Sequence, residues 1–536
     1  MEIRTMHPLV HDAMLTSAQG SPYAPAIEFA DRQLTYSELD AGSASIALAL
    51  TPSIKTEETC IAIFMDKRLE AILALYGILR AGAAYVPLDT KNPASRIQHI
   101  ISQCGITTFI TTPDFAGQLD NILAELDGNF ECIIVTEDPW TPTISSHSYQ
   151  IVNAFQSQLT APAVIDHVVG VDKADSANQL AAVLYTSGST GTPKGVMITH
   201  ANISVFTNWV VSYFSLSSDD RLASHAPLYF DLSLLDIFAA HHCAATAVLI
   251  PETMVGNPRY LTQFIVEKQI SSWQSVPTAL TLMLKYGGID QHQYPQLRHV
   301  LFAGERMSTQ NVQGLTEYFR AATFHNIYGS TETNDTFIFS FAATLENIPD
   351  PLPIGRPLPY VEYRIDKGDK NIPGEEGELL VKAPTLMRGY RGQSAINSGG
   401  NIDSIPYYRT SDFVKVLNNG DLEFIGRTDD VVKSNGYRIN LLAIESVLQN
   451  HEAIQEVAVL SIPDEDMGNK IIAVITTPST DTISAIALRL YCAEHLPKYA
   501  IPHLFEIRSQ SLPKTSSGKT NKKSLIQLRC NHVEHS

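Results

Sequence analysis

Basic residues are in short supply: 38 Lys and Arg stand against 56 Asp and Glu, a formal net charge of −18. Binding along a nucleic acid requires a basic face to neutralise phosphates, so no nucleic-acid partner is expected. A local basic site for a nucleotide is still allowed, because net charge governs solubility and association and not individual sites. Paired cysteines are missing as well. Cys60, Cys104, Cys132, Cys243, Cys492 and Cys530 are scattered, with no CxxC pair and no Cys/His ligand spacing. That argues against a structural zinc site or a disulfide framework, and it suits a reducing cytosol. No charge-free stretch of about 18 apolar residues occurs, so no membrane span is expected. The opening residues, MEIRTMHPLV, hold no apolar core of signal-peptide length, which points to a cytoplasmic location. Without secretion the acceptor-like triplet Asn202-Ile203-Ser204 carries no meaning. Internal repeats and long low-complexity segments are also lacking.

What is present is an ordinary globular composition. Hydrophobic residues make up 44% and charged residues 18%, so disorder is not the default. A length of 536 residues suggests roughly two to four domains. Short β-branched runs alternate with longer amphipathic segments. Cys60–Met65, Ala84–Leu88, Thr107–Thr111, Cys132–Thr136, Ala247–Ile250 and His299–Phe302 read as strands. Leu69–Ala81 reads as a helix, ended by Gly82. Such alternation predicts parallel sheets covered by helices.

After about residue 350 the pattern changes. Pro351, Pro353, Pro357 and Pro359 punctuate a turn-rich region. The strand-like runs Val361–Asp366, Gly377–Lys382, Phe413–Leu417 and Leu422–Ile425 follow at close spacing. The hairpin signal Asn418-Asn419-Gly420 lies between the last two, so an antiparallel unit is expected. The polar run Gly426-Arg427-Thr428-Asp429-Asp430 suits a hinge, and beyond it lies a mixed unit of about 100 residues, an ordinary domain size. Its elements are helices around Leu442–Gln449 and Ile483–His495, with strands Val457–Ile462 and Ile471–Thr476.

The strongest local signal is the run Leu184-Tyr185-Thr186-Ser187-Gly188-Ser189-Thr190-Gly191-Thr192-Pro193-Lys194-Gly195. Glycines let backbone N–H groups approach an anion, hydroxyls add donors, and Lys194 adds a charge. The apolar run Ala181–Tyr185 feeds the loop as a strand, which a surface linker would not normally have. The letters do not fit the Walker pattern GxxxxGK[ST].

This loop resembles the phosphate loop of the adenylate-forming superfamily, which includes acyl-CoA synthetases, firefly-type luciferases and adenylation domains of nonribosomal peptide synthesis. Further runs appear in the family's order. Leu34-Thr35-Tyr36-Ser37-Glu38-Leu39 and Leu79-Arg80-Ala81-Gly82-Ala83-Ala84-Tyr85-Val86-Pro87-Leu88-Asp89 match early structural motifs and are given no chemistry. Ala303-Gly304-Glu305 matches the segment lining the adenine pocket. Asn326-Ile327-Tyr328-Gly329-Ser330-Thr331-Glu332 is similar to the family's Y-G-x-T-E motif, with Ser330 in place of the commoner Pro. The resemblance implies that Tyr328 stacks on adenine, Thr331 lies near the phosphates and Glu332 helps hold Mg²⁺; a turn before a helix capped by Thr331 is the plainer alternative. Mg²⁺ commonly takes one or two carboxylates with phosphate oxygens.

Tyr408-Arg409-Thr410-Ser411-Asp412 resembles Y-R-T-G-D, with Ser411 in place of Gly. There the resemblance gives Asp412 to the ribose hydroxyls, Arg427 to the nucleotide and Asp429 to the pivot between domains. Lys433, Gly436 and Arg438 follow in order, with Asn435 where peptide-synthesis domains often carry Arg. Leu512-Pro513-Lys514-Thr515-Ser516-Ser517-Gly518-Lys519 is similar to the final motif, whose lysine reaches the forming acyl-adenylate. The catalytic set so implied is Thr186, Lys194, Glu332 and Lys519.

For the acid itself, His225-Ala226-Pro227-Leu228-Tyr229-Phe230-Asp231 resembles the run that opens the acyl pocket. In amino-acid-activating members the aspartate at this place pairs with the substrate's α-ammonium; a helix cap is the alternative. The pocket positions carried over are Asp231, Leu232, Leu235, Gln274, Leu301, Ala303, Ile327, Asp335, Thr336 and Lys519. They are mostly aliphatic and suit a small apolar side chain or ring. Asp335 either turns away at the pocket edge or reads a polar group.

The implied fold is α/β, with a large N-terminal domain (1–428) of helix-covered sheets plus a small antiparallel barrel-like unit. A small mobile α+β C-terminal domain (429–536) completes it. The implied activity is ATP- and Mg²⁺-dependent formation of an aminoacyl-AMP, best matched by L-proline. Transfer follows to the phosphopantetheine thiol of a separate carrier protein, in secondary-metabolite or toxin biosynthesis. The nearest resemblance is to free-standing adenylation domains such as prolyl-carrier-protein ligases. An acyl- or aryl-CoA synthetase is the alternative, and Asp231 counts against it.

Overall fold

The computed structural model describes residues 9–56, 58–137, 147–155, 176–186, 193–344, 347–366, 374–396, 405–427, 430–464, 466–477, 483–513, 520–522 and 524–526. The chain divides into two compact units. One comprises Met1–Thr90, Ile97–Tyr185 and Gly195–Gly426; the other comprises Arg427–Ser536 with the short pieces Lys91–Arg96 and Thr186–Lys194.

In the larger unit, Cys60–Phe64, Ala84–Pro87, Thr108–Thr111, Glu131–Val135, Ser148–Val152 and Leu180–Thr186 pair in parallel. They belong to an eight-stranded sheet completed by Lys194–Thr199 and the antiparallel edge Gly389–Tyr390. Every residue of Cys60–Phe64 is buried, as expected for a parallel strand covered on both faces. The connecting helix Leu69–Ala81 keeps its predicted bounds. Gly82 ends it with φ +82°, a conformation that costs a residue with a Cβ.

A nine-stranded sheet holds Arg221–Ser224, Thr246–Leu249, Ser272–Ser275, His299–Ala303 and Thr323–Ser330 in parallel. The alternation rule did not anticipate its antiparallel hairpin, Thr323–Ser330 with Asn334–Ala342. A hairpin needs only a short turn, and its two strands read singly like any others.

The turn-rich region forms a four-stranded sheet of Glu362–Asp366, Glu376–Lys382, Tyr408–Val416 and Leu422–Arg427. Its first three strands pair antiparallel. In Tyr408–Val416 burial alternates residue by residue, so one face meets the core and the other is part-exposed. Gly420 turns the last hairpin with φ +85°, as Asn418-Asn419-Gly420 predicts.

The smaller unit is α+β. Glu456–Asp464 pairs antiparallel with Gly468–Thr476, which pairs in parallel with Leu504–Arg508. Val431–Ser434 and Tyr437–Asn440 form a two-stranded ribbon. Leu441–Gln449 and Ala485–His495 are its helices, and Ile444, Leu448, Val459, Ile471, Leu488 and Cys492 build its core. Asn435 takes φ +51°, a left-handed conformation that asparagine tolerates better than most residues. No described helix is long and apolar enough to cross a membrane.

Candidate active site

The larger unit places several of the sequence-assigned residues on one hairpin. Asn326, Ile327, Tyr328, Gly329 and Ser330 lie in the strand Thr323–Ser330, and Thr331, Glu332 and Thr333 form the turn. Gly329 is required here, because a Cβ would come within 2.2 Å of Asn334 O. Asn334 itself adopts φ +57° to close the turn. Two bonds tie the turn to the segment that follows the four-stranded sheet's second strand. Thr385 Oγ1 donates to Thr333 O at 2.7 Å, and Met387 N–H to Glu332 O at 2.8 Å.

Three sheets meet at this turn. The Tyr328 hydroxyl donates to Asp412 Oδ2, which joins the nine-stranded sheet to the four-stranded one. Tyr390, from the edge of the eight-stranded sheet, donates its hydroxyl to Glu332 Oε1 at 2.9 Å. The Tyr408 hydroxyl lies 3.3 Å from that of Tyr390 and extends the chain. Glu332 is 1% exposed, so its carboxylate is withdrawn from bulk water and held by a fixed donor. Among the described residues no group of three or more His, Cys, Asp or Glu could hold a metal ion. A magnesium ion commonly takes one or two carboxylates such as that of Glu332, with phosphate oxygens and water beside them.

Asp231 is brought to the same turn: Thr331 Oγ1 donates to Asp231 Oδ2 at 2.6 Å. Asp231 also has a backbone part in the helix that follows, its carbonyl accepting Leu234 N–H at 3.0 Å. Leu235 opens a π-helical turn, Leu235–Ala239, and is 2% exposed. Leu232 is half-buried.

The remaining pocket positions fall on neighbouring strands. Gln274 pairs with Leu301, and Ala303 with Ile327. All four are buried, and Gln274 Oε1 has no hydrogen-bond partner among the described residues. Thr336 Oγ1 donates to Tyr328 O at 3.1 Å, which gives it a structural task. Asp335 is half-buried, and its carbonyl accepts the Tyr360 hydroxyl at 3.3 Å. Burial, reinforced by the charge of Asp335, holds the Tyr360 phenol well above its ordinary pKa.

Two sequence-assigned residues have further roles. Glu305 accepts Thr278 Oγ1 at 2.6 Å and Thr278 N–H at 3.3 Å, at the start of helix Pro277–Tyr286. That satisfies a helix N–H which the N-cap residue Val276 has no side chain to reach. Asn326 Nδ2 donates to Pro353 O at 2.8 Å and so holds the proline-rich segment. Gly304, beside Glu305, has φ +97°.

Ser411 stands where the family pattern has Gly, and it takes φ +62°. A left-handed residue with a Cβ costs about 1–2 kcal/mol, partly offset by the larger entropy glycine loses on folding. Ser411→Gly is therefore expected to raise the urea midpoint, by a free energy on the order of 0.5–1 kcal/mol. A lowered midpoint would show that Ser411 stabilises more than its backbone costs.

Thr186 is the last residue of Leu180–Thr186, Lys194 the first of Lys194–Thr199, and Arg427 the last of Leu422–Arg427. Ser187, Gly188, Ser189, Thr190, Gly191, Asp429 and Lys519 lie outside the described residues. Tyr390, Thr278 and Lys67 were not singled out from sequence. Tyr408 was visible within its motif, but the others carry no local signal.

Comparison with known proteins shows the family. Residues 15–391 match the AMP-binding enzyme family, and residues 443–519 match the AMP-binding enzyme C-terminal domain. An L-proline--[L-prolyl-carrier protein] ligase of Pseudomonas fluorescens is 30% identical over 521 residues, covering 97% of this chain and 99% of that protein. A ligase of the same description from Streptomyces coelicolor is 30% identical over 512 residues, covering 94% of each. Among solved structures, the Vibrio cholerae adenylation domain AlmE in complex with glycyl-adenosine-5'-phosphate has a TM-score of 0.82 at 23% identity and covers 99% of both chains. That likeness bears on the fold alone. With the family model spanning residues 15–391 and relatives matched over nearly their whole length, the chain belongs to the AMP-binding enzyme family and is an adenylate-forming ligase.

Proposed function

We propose that the chain activates an amino acid with ATP and then passes it to the phosphopantetheine thiol of a separate carrier protein. The observation that carries this reading is the Asp231 carboxylate, held by Thr331 on the turn that also bears Glu332. A half-buried carboxylate fixed there offers an ion pair to an α-ammonium. It offers nothing to a plain fatty acid. The aliphatic residues Leu235, Leu301, Ala303 and Ile327 favour a small apolar side chain or ring. L-proline is the first choice, supported by the description of both relatives matched end to end.

In this scheme the acid's carboxylate oxygen attacks the α-phosphorus of ATP, and pyrophosphate leaves. Lys519 and Lys194 stabilise the developing charge, and the hydroxyl of Thr186 donates to phosphate oxygens. Asp412 and Tyr328 hold the nucleoside, and Glu332 would help hold a magnesium ion. When bound, that ion supplies positive charge to the phosphates. The thiol gives up its proton to water, its sulfur bonds to the acyl carbon, and the acyl C–O bond breaks as AMP leaves with the bonding electrons. Residue 429 stands as the pivot between the two half-reactions.

Amino-acid-dependent exchange of pyrophosphate into ATP, screened over all amino acids, tests the proposal. Exchange is expected with proline or another small apolar amino acid. Exchange supported only by fatty or aryl acids would favour the CoA-synthetase reading instead.

A further inference from the structure

Lys67 lies just after the strand Cys60–Phe64 and before the helix Leu69–Ala81, and it is 1% exposed. A lysine buried to that degree is uncommon, because removing an ammonium from water is costly unless each donor is used. Here each is used. Nζ donates to Ser224 O at 2.5 Å, to Ala226 O at 2.7 Å and, at 3.3 Å, to Ser224 Oγ. The Lys67 backbone N–H adds a bond to Glu252 Oε1 at 3.3 Å. Burial lowers the ammonium's pKa to about 8, while the charges of Asp236 and Glu252 act the other way.

The place of these acceptors gives the contact its meaning. Ser224 ends the strand Arg221–Ser224, and Ala226 lies five residues before Asp231. The short path between them is closed by a turn, with Phe230 N–H donating to Pro227 O at 3.0 Å. A shift of the Ala226 carbonyl therefore has little chain in which to relax before it reaches Asp231. Ser224 also pairs across the sheet with Gln274, which pairs with Leu301. Asp236 sits in the π-helical turn beyond Asp231, is 2% exposed, and has no hydrogen-bond partner for Oδ2 among the described residues. The fold thus keeps a buried polar cluster beside the segment that presents Asp231.

We infer that Lys67 is a positioning residue: by fixing the carbonyls of Ser224 and Ala226 it sets the Asp231 carboxylate where the substrate's α-ammonium binds. The inference rests on the amino-group reading of Asp231 and extends it to a residue in the connection that follows a strand of another sheet.

The test compares Lys67→Met, Lys67→Arg and Asp231→Ala in pyrophosphate exchange with L-proline and with cyclopentanecarboxylate, which has CH₂ in place of the amine. If another amino acid is preferred in the screen, it is used with its own des-amino acid. The wild type should favour the amino acid strongly, and Asp231→Ala should abolish that preference. In Lys67→Met the preference should fall at least tenfold, through a higher KM for the amino acid, with the KM for ATP within twofold of wild type. Lys67→Arg should recover part of it. Equal loss with both acids, or an unchanged preference, would overturn the inference. Should Lys67→Met not fold, Lys67→Gln, which keeps an N–H donor on a shorter side chain, should show a change of the same kind; no change there also overturns it. If Asp231→Ala keeps the preference, the amino-group reading fails in its own right.

Discussion

Asp231→Ala should lose roughly 10²–10³-fold in kcat/KM for the amino acid. Two unit charges about 4 Å apart at an effective dielectric near 20 interact by about 4 kcal/mol, and each 1.4 kcal/mol is about tenfold in rate. Desolvation of the carboxylate and the ammonium takes back part of that. Thr331 also loses its 2.6 Å acceptor, which loosens the turn bearing Glu332. The isosteric Asp231→Asn separates the two effects. It keeps an oxygen for Thr331 but removes the charge, so it should lose nearly as much as the alanine variant. Near-wild-type kinetics in Asp231→Asn would reduce Asp231 to a hydrogen-bonding residue. Thermal stability should change little in either variant, because the side chain is only half-buried.

Lys519→Ala should cost adenylate formation about 10²–10³-fold or more while leaving the second half-reaction within a fewfold of wild type. Attack on the α-phosphorus builds negative charge that a positioned cation stabilises, and removing one such group from a water-poor site costs about 3–4 kcal/mol. Thioester formation instead builds charge at the acyl carbonyl. Pyrophosphate exchange measures the first step. Single-turnover transfer from preformed aminoacyl-AMP to a phosphopantetheinylated carrier measures the second. Equal losses in both would contradict the assignment of Lys519 to the first step alone.

Much of the fold was legible locally. The helix Leu69–Ala81 was readable to the residue, because its apolar spacing and Gly82 are both short-range signals. The strands around residues 60, 84, 132 and 299 fell within a residue or two, because a fully buried strand is a continuous apolar run. The hairpin of Thr323–Ser330 with Asn334–Ala342 was less visible. The turn Thr331–Thr333 carries candidate site residues in place of the usual Asn-Gly pair, and the turn reading offered there expected a helix to follow, whereas the strand Asn334–Ala342 does.

The site residues divide along the same line. Glu332, Asp412 and Asp231 were singled out because each sits in a run of letters with a recognisable order. Tyr390 and Lys67 sit in no such run. Tyr390 meets Glu332 from 58 positions away, and Lys67 meets Ser224 from 157. Nothing in the neighbourhood of either residue marks the encounter.

By itself, then, the sequence determined the α/β character, the change of style near residue 350, the phosphate-loop run and the ordered residues of an adenylate-forming ligase. Periodicity and short motifs are local properties, set by how a strand or helix exposes its two sides and by which residues tolerate a turn. The tertiary structure alone decided that Tyr328 would bond Asp412, that Thr331 would hold Asp231, and that Lys67 would brace the segment leading to it. The physical reason is that a strand's pattern says which of its faces is buried but not which other face it meets. That pairing is settled only when three sheets and their connecting turns pack together.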